Sequence, residues 1–565
     1  MSIIDWIVMS SFLLFVVIYG VVKTKGSKNV KEYLLANKTT KWYAITLSIM
    51  ATQASAITFL STPGQAYVDG LRFVQFYLGL PLAMIILSIT AIPLYHKLNV
   101  YTAYEYLESR FDVKNRVLGS VLFLTQRGLA AGFTIFAPSL ILSVILGWNI
   151  EATIIVIGGL VTIYTAVGGT NAVNKTHLQQ MTIIFVGMIT AFITIYVLLP
   201  DDISPLDAAY VAGKMGKLNA IDFTFDLGNK YTFWSGIIGG TFLMLSYFGT
   251  DQSQVQRYLS GSSVKESRIG LLVNGVVKIP MQFFILFIGA MVFVFYQFVM
   301  PPLYFNPVEQ TAVYESEYAD EYGKLEDEYS DLFEAKQLKI REMVNSIDDG
   351  DDIAADNFQN ELMDIKSKEE SVRNSAIEIV KKANPDSDAN DTNYIFINFV
   401  INFLPVGMIG LVLAAILSAS MSSTSAELNA LASTTVIDIY KRLISKNESD
   451  EHYLKVSKIA TIFWGIYAII FASFANMLGS LIEAVNILGS LFYGTILGIF
   501  LVAFYFKSIK GTPTFIAAII AEISVVALFI FTDLPYLWFN FVGCVLVVVI
   551  GMILNQIYFG NKKAG

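Results

Sequence analysis

The sequence predicts an all-α integral membrane protein with thirteen transmembrane helices, and three observations carry that expectation. Of its 565 residues 55% are hydrophobic and only 15% charged, against about 25% charged in an ordinary soluble domain. Apolar runs long enough to cross a hydrocarbon core of about 30 Å recur along the whole chain. Lysine and arginine, finally, collect on alternate sides of those runs, as cytoplasmic loops require.

Numbered 0 to 12, the runs begin with Ile3 to Val22, Trp42 to Leu60, Val74 to Tyr95 and Val117 to Leu146. Next come Ala152 to Val167, Leu178 to Leu199, Phe233 to Phe248, Ile269 to Phe298 and Pro405 to Val436. Val456 to Phe474, Leu478 to Phe506, Phe515 to Phe531 and Pro535 to Ile557 complete the set. Span 0 is followed by Lys23 and Lys25 without a small-residue cleavage site, so it reads as a retained helix. With the N-terminus outside and the C-terminus cytoplasmic, 23 of the 38 basic residues fall in inner segments, Lys97, Arg110 and Lys507 among them. The short outer loops hold four, one long outer insertion holds nine, and Arg127 and Lys278 lie within spans. A missed or invented span would scramble this bias.

Several function classes are excluded. The single cysteine, Cys544, forms no intrachain disulfide, and three scattered histidines make no zinc cluster. There is no Walker loop, GxSxG elbow or HExxH motif, no basic patch for nucleic acid, and no inner loop long enough for a catalytic domain.

The insertion, residues 304 to 393, holds 24 of the 46 acidic residues and is net negative by 15. Tyr318, Tyr322, Leu325, Tyr329 and Leu332 form a heptad stripe that Asp348-Asp349-Gly350-Asp351-Asp352 later interrupts. This predicts an antiparallel helical hairpin outside the membrane, the alternative being a solvated acidic linker. In either form it stands clear of the substrate.

Two spans are too polar and small for lipid. Span 1 contains Met50-Ala51-Thr52-Gln53-Ala54-Ser55-Ala56-Ile57-Thr58, and span 8 contains Ser418-Ala419-Ser420-Met421-Ser422-Ser423-Thr424-Ser425-Ala426. Unwound carbonyls plus hydroxyls could supply the oxygens a sodium ion needs. Close helix packing on the face of Ser418, Ser422 and Ala426 is the other reading. Arg127 and Lys278 each sit about ten residues inside a span, or roughly 15 Å deep, where charge is costly and usually functional. Arg127 offers a fork for a carboxylate, while a salt bridge to Glu427 or Glu483, or snorkelling, is the structural alternative for each.

The stretch GLVLAAILSASMSSTSAELNALASTTVIDIY, Gly410 to Tyr440, resembles the eighth core helix of the sodium:solute symporter family. SAITFLSTPGQAY in span 1, AVGGTNAV after span 4 and GTDQSQVQRYLSG after span 6 are similar to that family too. The resemblance implies a leucine-transporter-like fold, a 5+5 inverted repeat with extra N- and C-terminal helices. The chain then divides into 1–41 (extra helix and inner loop), 42–199 (repeat 1, spans 1 to 5), 200–303 (spans 6 and 7), 304–393 (the insertion), 394–508 (spans 8 to 10) and 509–565 (spans 11 and 12 and the tail). Gly239, Gly240 and Gly249 suit a broken span 6.

The family's sodium site maps onto the carbonyls of Ala51, Ala54 and Ala419 and the hydroxyls of Ser422 and Ser423. Tyr247 falls where relatives place an aromatic inner gate, and Ser55, Thr58 and Gln75 where they line the substrate cavity. Tyr247 also reads as a packing residue. Lys278 resembles a lysine that sugar-carrying members hold near the substrate. In many relatives the turn after span 4 leads into Trp-Thr-Asp, whose aspartate serves a second cation; here Lys175-Thr176-His177 stands instead. One coupled sodium is therefore expected, with Ser425 left where a second-site hydroxyl could be and His177 otherwise an ordinary loop residue.

The implied function is sodium-coupled import of a small organic solute across the plasma or inner membrane. Its partners are that solute and the bilayer, with no nucleic acid. Span 1 has Ile57 and Thr58 where hexose carriers place glutamate and glutamine, which points to an acidic sugar of sialic acid type or an organic acid. A neutral hexose is the alternative substrate, and a membrane sensor or scaffold the alternative class.

Overall fold

The computed structural model describes residues 1–24, 38–385, 387, 390–475 and 480–559, with the side chains of 17, 20–24 and 168–178 outside the description. His177, Lys175 and Thr176 belong to that last group. Among the described residues the chain is helical, and the only extended pairing is a single bridge between Thr40 and Gly261.

Ten described helices are long and apolar enough to cross a membrane, and Ile3–Val16 and Ser235–Gly249 are shorter apolar stretches. With span 1 divided into Trp42–Gln53 and Ala56–Asp69, this set is compatible with thirteen spans. Span 0, Ile3–Thr24, is locked by a buried acid. Asp5 Oδ1 accepts from the backbone N–H of Gly407 at 2.6 Å and of Gly410 at 3.2 Å, satisfying donors that the start of span 8 leaves free. Span 2 begins as a tight turn over Gly70–Tyr77, continues as Leu80–Ile89, bends at Thr90 and resumes as Ala91–Leu98. Thr90 Oγ1 donates back to the carbonyl of Ile86 at 2.7 Å, a bond that favours helix bending.

Spans 4 and 5, expected on either side of a turn, lie in helical geometry that runs on through Ile150–Val197. Spans 3 and 7 are single helices, Val113–Leu146 and Val264–Phe298. Span 8, Met408–Thr434, passes into a wider helical turn over Thr435–Ile444. There Asp438 accepts from Arg116 Nε at 2.7 Å and Thr102 Oγ1 at 2.8 Å. Spans 9 to 12 are Asp450–Ala472, Leu481–Tyr505, Gly511–Phe531 and Leu537–Phe559.

The insertion forms two paired helices, Ala319–Asp348 and Asp352–Ala383. Gly350 makes the reversal at φ 73°, a conformation glycine adopts without steric cost. Tyr322 and Tyr329 are buried between the helices, and Lys336 Nζ reaches Glu369 Oε1 at 2.5 Å inside the pair. The hairpin is nevertheless fused to the membrane body. Ile340, Met343, Val344, Ala355 and Leu362 join the main apolar core, and Gln337 Nε2 donates to the Phe298 carbonyl at 2.7 Å. An acidic surface hid this apolar underside in the composition.

Backbone contacts pin the far half of span 1. A Cβ on Gly64 would lie 2.1 Å from the Thr392 carbonyl oxygen, at the start of the helix Thr392–Phe403, and one on Gly289 would lie 2.2 Å from that of Pro63.

Candidate functional site

The site grows from two interruptions. Span 1 stops at Gln53, Ala54 takes φ −81° and ψ 65°, Ser55 is extended, and the helix restarts at Ala56. Span 6 stops at Gly249, and Asp251 starts the helix Gln252–Leu259 by accepting from the Ser253 N–H at 2.9 Å. The break in span 6 therefore falls at Thr250 and Asp251. Gly239 and Gly240 serve packing, against the backbones of Leu537 and Phe76. Unwound residues inside a bundle free carbonyls and N–H groups toward a ligand.

Span 8 packs on both halves of span 1, bringing the helices of the expected sodium ligands together. Ser423 Oγ donates to the carbonyls of Ala419 and Ser420, each at 3.1 Å, which turns its lone pairs away from its own helix. Ser422 Oγ is buried without a hydrogen-bond partner among the described residues. Ala51 and Ala54 are buried at the break. These oxygens suit a hard monovalent cation: hydroxyl lone pairs and carbonyls, with no thiol or imidazole. Ser425 accepts from Thr165 Oγ1 at 2.7 Å, and among the described residues no group of three or more His, Cys, Asp or Glu is arranged for a metal.

Beside the break lies a cavity of about 110 Å³ lined by Ser55, Thr58, Arg127, Tyr247 and Lys278, with Gln53, Tyr77, Thr134, Glu427, Asn486 and Tyr493. Five of the six residues expected to line a substrate cavity thus share one wall. Gln75 is the exception and stands corrected: its Nε2 donates to the Tyr231 carbonyl at 2.8 Å and its Oε1 accepts from the Asp222 N–H at 2.9 Å. Fully buried and spent on backbone, it clamps the loop before span 6.

Arg127 is not a free fork. Nη1 reaches Glu427 Oε1 at 3.0 Å, and Nη2 bonds Asp251 and, at 2.5 Å, the Tyr493 hydroxyl. Thr134 Oγ1 donates to the other Glu427 oxygen at 2.9 Å, and Tyr493 to Asp251 at 2.8 Å. The guanidinium stands 5.5 Å from the centre of the Tyr247 ring, a cation–π distance, and Gln254 Nε2 donates to the Tyr247 hydroxyl at 2.7 Å. The network ties spans 3, 6, 8 and 10 into one charged cluster. Glu483, the other acid considered for Arg127, instead pairs with Lys230 at 3.2 Å.

Lys278 differs. Its ammonium lies 5.8 Å from the centre of the Tyr77 ring on the cavity wall and has no ion pair among the described residues. Arg127, Lys278, Asp251 and Glu427 sum to zero formal charge, and Lys278 is the cation with no carboxylate committed to it. Asp251 and Tyr493 were missed in the sequence. An acid directly after Gly-Thr at the end of an apolar run was the available signal for Asp251; Tyr493, inside an unbroken apolar helix, had none.

Known proteins resemble this chain along most of its length. The profile of the sodium:solute symporter family matches residues 33–319 and 376–521. The chain is 25% identical over 573 residues to the sodium/sialic acid symporter SiaT of Proteus mirabilis (strain HI4320), covering 99% of this chain and 96% of that protein. It is 31% identical over 271 residues to the human sodium/iodide cotransporter, and 32% over 274 to sodium-coupled monocarboxylate transporter 1 of Xenopus laevis. Those two matches cover 48% of this chain and under half of either relative, 42% and 43%. A solved Na+-coupled sialic acid symporter, in a substrate-bound outward-open state, superposes with a TM-score of 0.74 at 24% identity over 98% of both chains. The chain belongs to the sodium:solute symporter family and is a multi-pass membrane protein.

Proposed function

We propose that this protein is a sodium-driven symporter that imports an organic acid or an acidic sugar by alternating access. The single observation that carries the acidic substrate is Lys278, an uncommitted cation on the wall of a buried cavity. In this reading the sodium ion is bound by the carbonyls of Ala51, Ala54 and Ala419 and the hydroxyls of Ser422 and Ser423. The solute lies against Ser55, Thr58, Tyr247 and Lys278, and Arg127 closes the floor through Asp251 and Glu427. The carrying of sialic acid and monocarboxylates by similar proteins, as their names state, supports the substrate class.

Size refines it. The 110 Å³ cavity is smaller than the roughly 150 Å³ void that admits benzene, so this conformation suits an acid of a few carbons. A sugar acid enters once the outer half of the cavity widens. Repeat 1 is spans 1 to 5 and repeat 2 spans 6 to 10, with the N-terminus outside, the C-terminus cytoplasmic and the hairpin on the outer face. His177 in place of an aspartate argues for one sodium per solute. For a monoanion the carried charges then cancel, and a tenfold sodium gradient sustains about tenfold accumulation. Uptake into proteoliposomes with and without a sodium gradient tests the reading: sodium-dependent, electroneutral accumulation of a monocarboxylate or sialic acid is expected. No accumulation of any acid overturns the function, and a reversal potential fitting two sodium ions overturns the stoichiometry.

A further inference from the structure

A second opening, sharing no lining residue with the central cavity, lies between the ends of spans 2 and 10. It is a groove of about 680 Å³. Its floor is apolar, made by Pro93, Leu94, Ala503 and Phe504. Tyr106 stiffens it, stacking on Phe504 with ring centres 5.2 Å apart and donating its hydroxyl to the Ala503 carbonyl at 2.8 Å. Three cations from separate segments converge on the rim: Lys97 at the end of span 2, Arg110 at the end of the helix Tyr104–Arg110, and Lys507 just after span 10.

Among the described residues no carboxylate lines the groove, and none of the three cations has an ion pair. Nearby acids are engaged elsewhere. Glu108 holds Arg116 and Arg442, and Asp112 Oδ1 accepts from the Asn115 amide at 2.9 Å while its other oxygen lies 3.9 Å from Lys114. Arg110 Nη2 donates to the carbonyls of Phe506, Lys507 and Ile509 at 2.9 to 3.2 Å, which fixes the guanidinium in place. Its Nε, by contrast, is buried with no partner among the described residues.

We propose that this groove binds one anionic phospholipid. The phosphate sits among Lys97, Arg110 and Lys507, and an acyl chain lies along Leu94, Pro93 and Phe504. The ligand chemistry follows from the pairing of features. Three cations without a carboxylate partner fit a phosphate, the two lysines as point charges and Arg110 as a guanidinium held in place by the carbonyls behind it. A soluble anion would have no use for the apolar floor, whereas a lipid presents phosphate and hydrocarbon together.

Native mass spectrometry of the purified full-length protein, released from nanodiscs of mixed phosphatidylglycerol and phosphatidylcholine, tests this. The wild type should retain phosphatidylglycerol in preference to phosphatidylcholine. Lys97→Gln with Lys507→Gln, which leaves the carbonyl bonds of Arg110 intact, should lower that retention about 25-fold, at roughly fivefold per cation. Lys455→Gln with Lys458→Gln, the same charge change elsewhere, should leave it unaltered, and thermal unfolding confirms that both variants are folded. Millimolar inorganic phosphate should not displace the lipid. Undiminished retention in the first variant, equal loss in the second, equal retention of phosphatidylcholine, or displacement by phosphate each overturns the proposal.

Discussion

Replacing Lys278 with methionine removes the cavity's uncommitted cation while keeping an unbranched side chain of similar length. Arg127 cannot take over, because both of its terminal nitrogens are held by Asp251 and Glu427. The four charges that cancel in the wild type become net negative by one, and the incoming carboxylate meets that excess without a counter-charge. A hydrogen bond to a charged group contributes about 1.5–3 kcal/mol, so the half-saturating concentration of an acid substrate should rise about 10- to 150-fold. The neutral amide of the same solute has no charge to lose and should change by less than about threefold. Competition uptake in proteoliposomes at saturating sodium measures the two affinities side by side. If acid and amide weaken together, or the acid is unaffected, Lys278 does not receive the substrate's charge and the reasoning fails.

Ser423→Ala should raise the sodium requirement of uptake at least about tenfold in a folded, inserted protein, since the change costs only about 1 kcal/mol of hydrogen bonding; an unchanged sodium titration removes Ser423 from the site. Arg127→Met leaves two buried carboxylates without their counter-charge and should destabilise the protein by about 3–5 kcal/mol. Adding Asp251→Asn and Glu427→Gln should recover much of that loss in thermal unfolding, and no recovery would mean that Arg127 acts through packing alone. Deleting 319–383 with a short flexible join should preserve uptake per folded transporter, because the hairpin does not line the central cavity, while lowering thermal stability through the apolar surface it uncovers. Loss of uptake in the folded deletion would give the hairpin a part in gating.

The spans were legible because their signal is local: about twenty apolar residues and a charge bias need no knowledge of neighbours. The heptad stripe from Tyr318 to Leu332 was legible for the same reason, and its tyrosines pack as the spacing implied. The polar, small-residue windows in spans 1 and 8 likewise announced protein-facing helices, and both lie deep in the bundle. Long-range pairing was legible only in part: the Arg127–Glu427 pair was one of the alternatives the charges offered, whereas the second acid on Arg127 was not. Arg127 meets Asp251 across 124 positions, and nothing near either residue encodes the other. Gln75 looked like any polar residue near a cavity until the carbonyl of Tyr231 claimed its amide. Span 6 carried three glycines with equal claims to the break, and only the neighbouring backbones decide that Gly239 and Gly240 serve contact while Gly249 ends the helix.

The backbone contacts at Gly64 and Gly289 have a mechanical consequence. With no side chain between them, the far half of span 1, span 7 and the helix Thr392–Phe403 mesh like gear teeth. Each meets its neighbour backbone to backbone, where an added side chain would not fit. Span 1 itself is interrupted at the unwound pair Ala54 and Ser55, the same residues that face the expected ion and solute. At the opposite end the train is coupled to the hairpin, for Arg373 grips Asp391 at 2.8 Å just before Thr392. The hairpin thus reaches span 1 through one ion pair and one backbone contact, at Gly64, nine residues beyond Ser55.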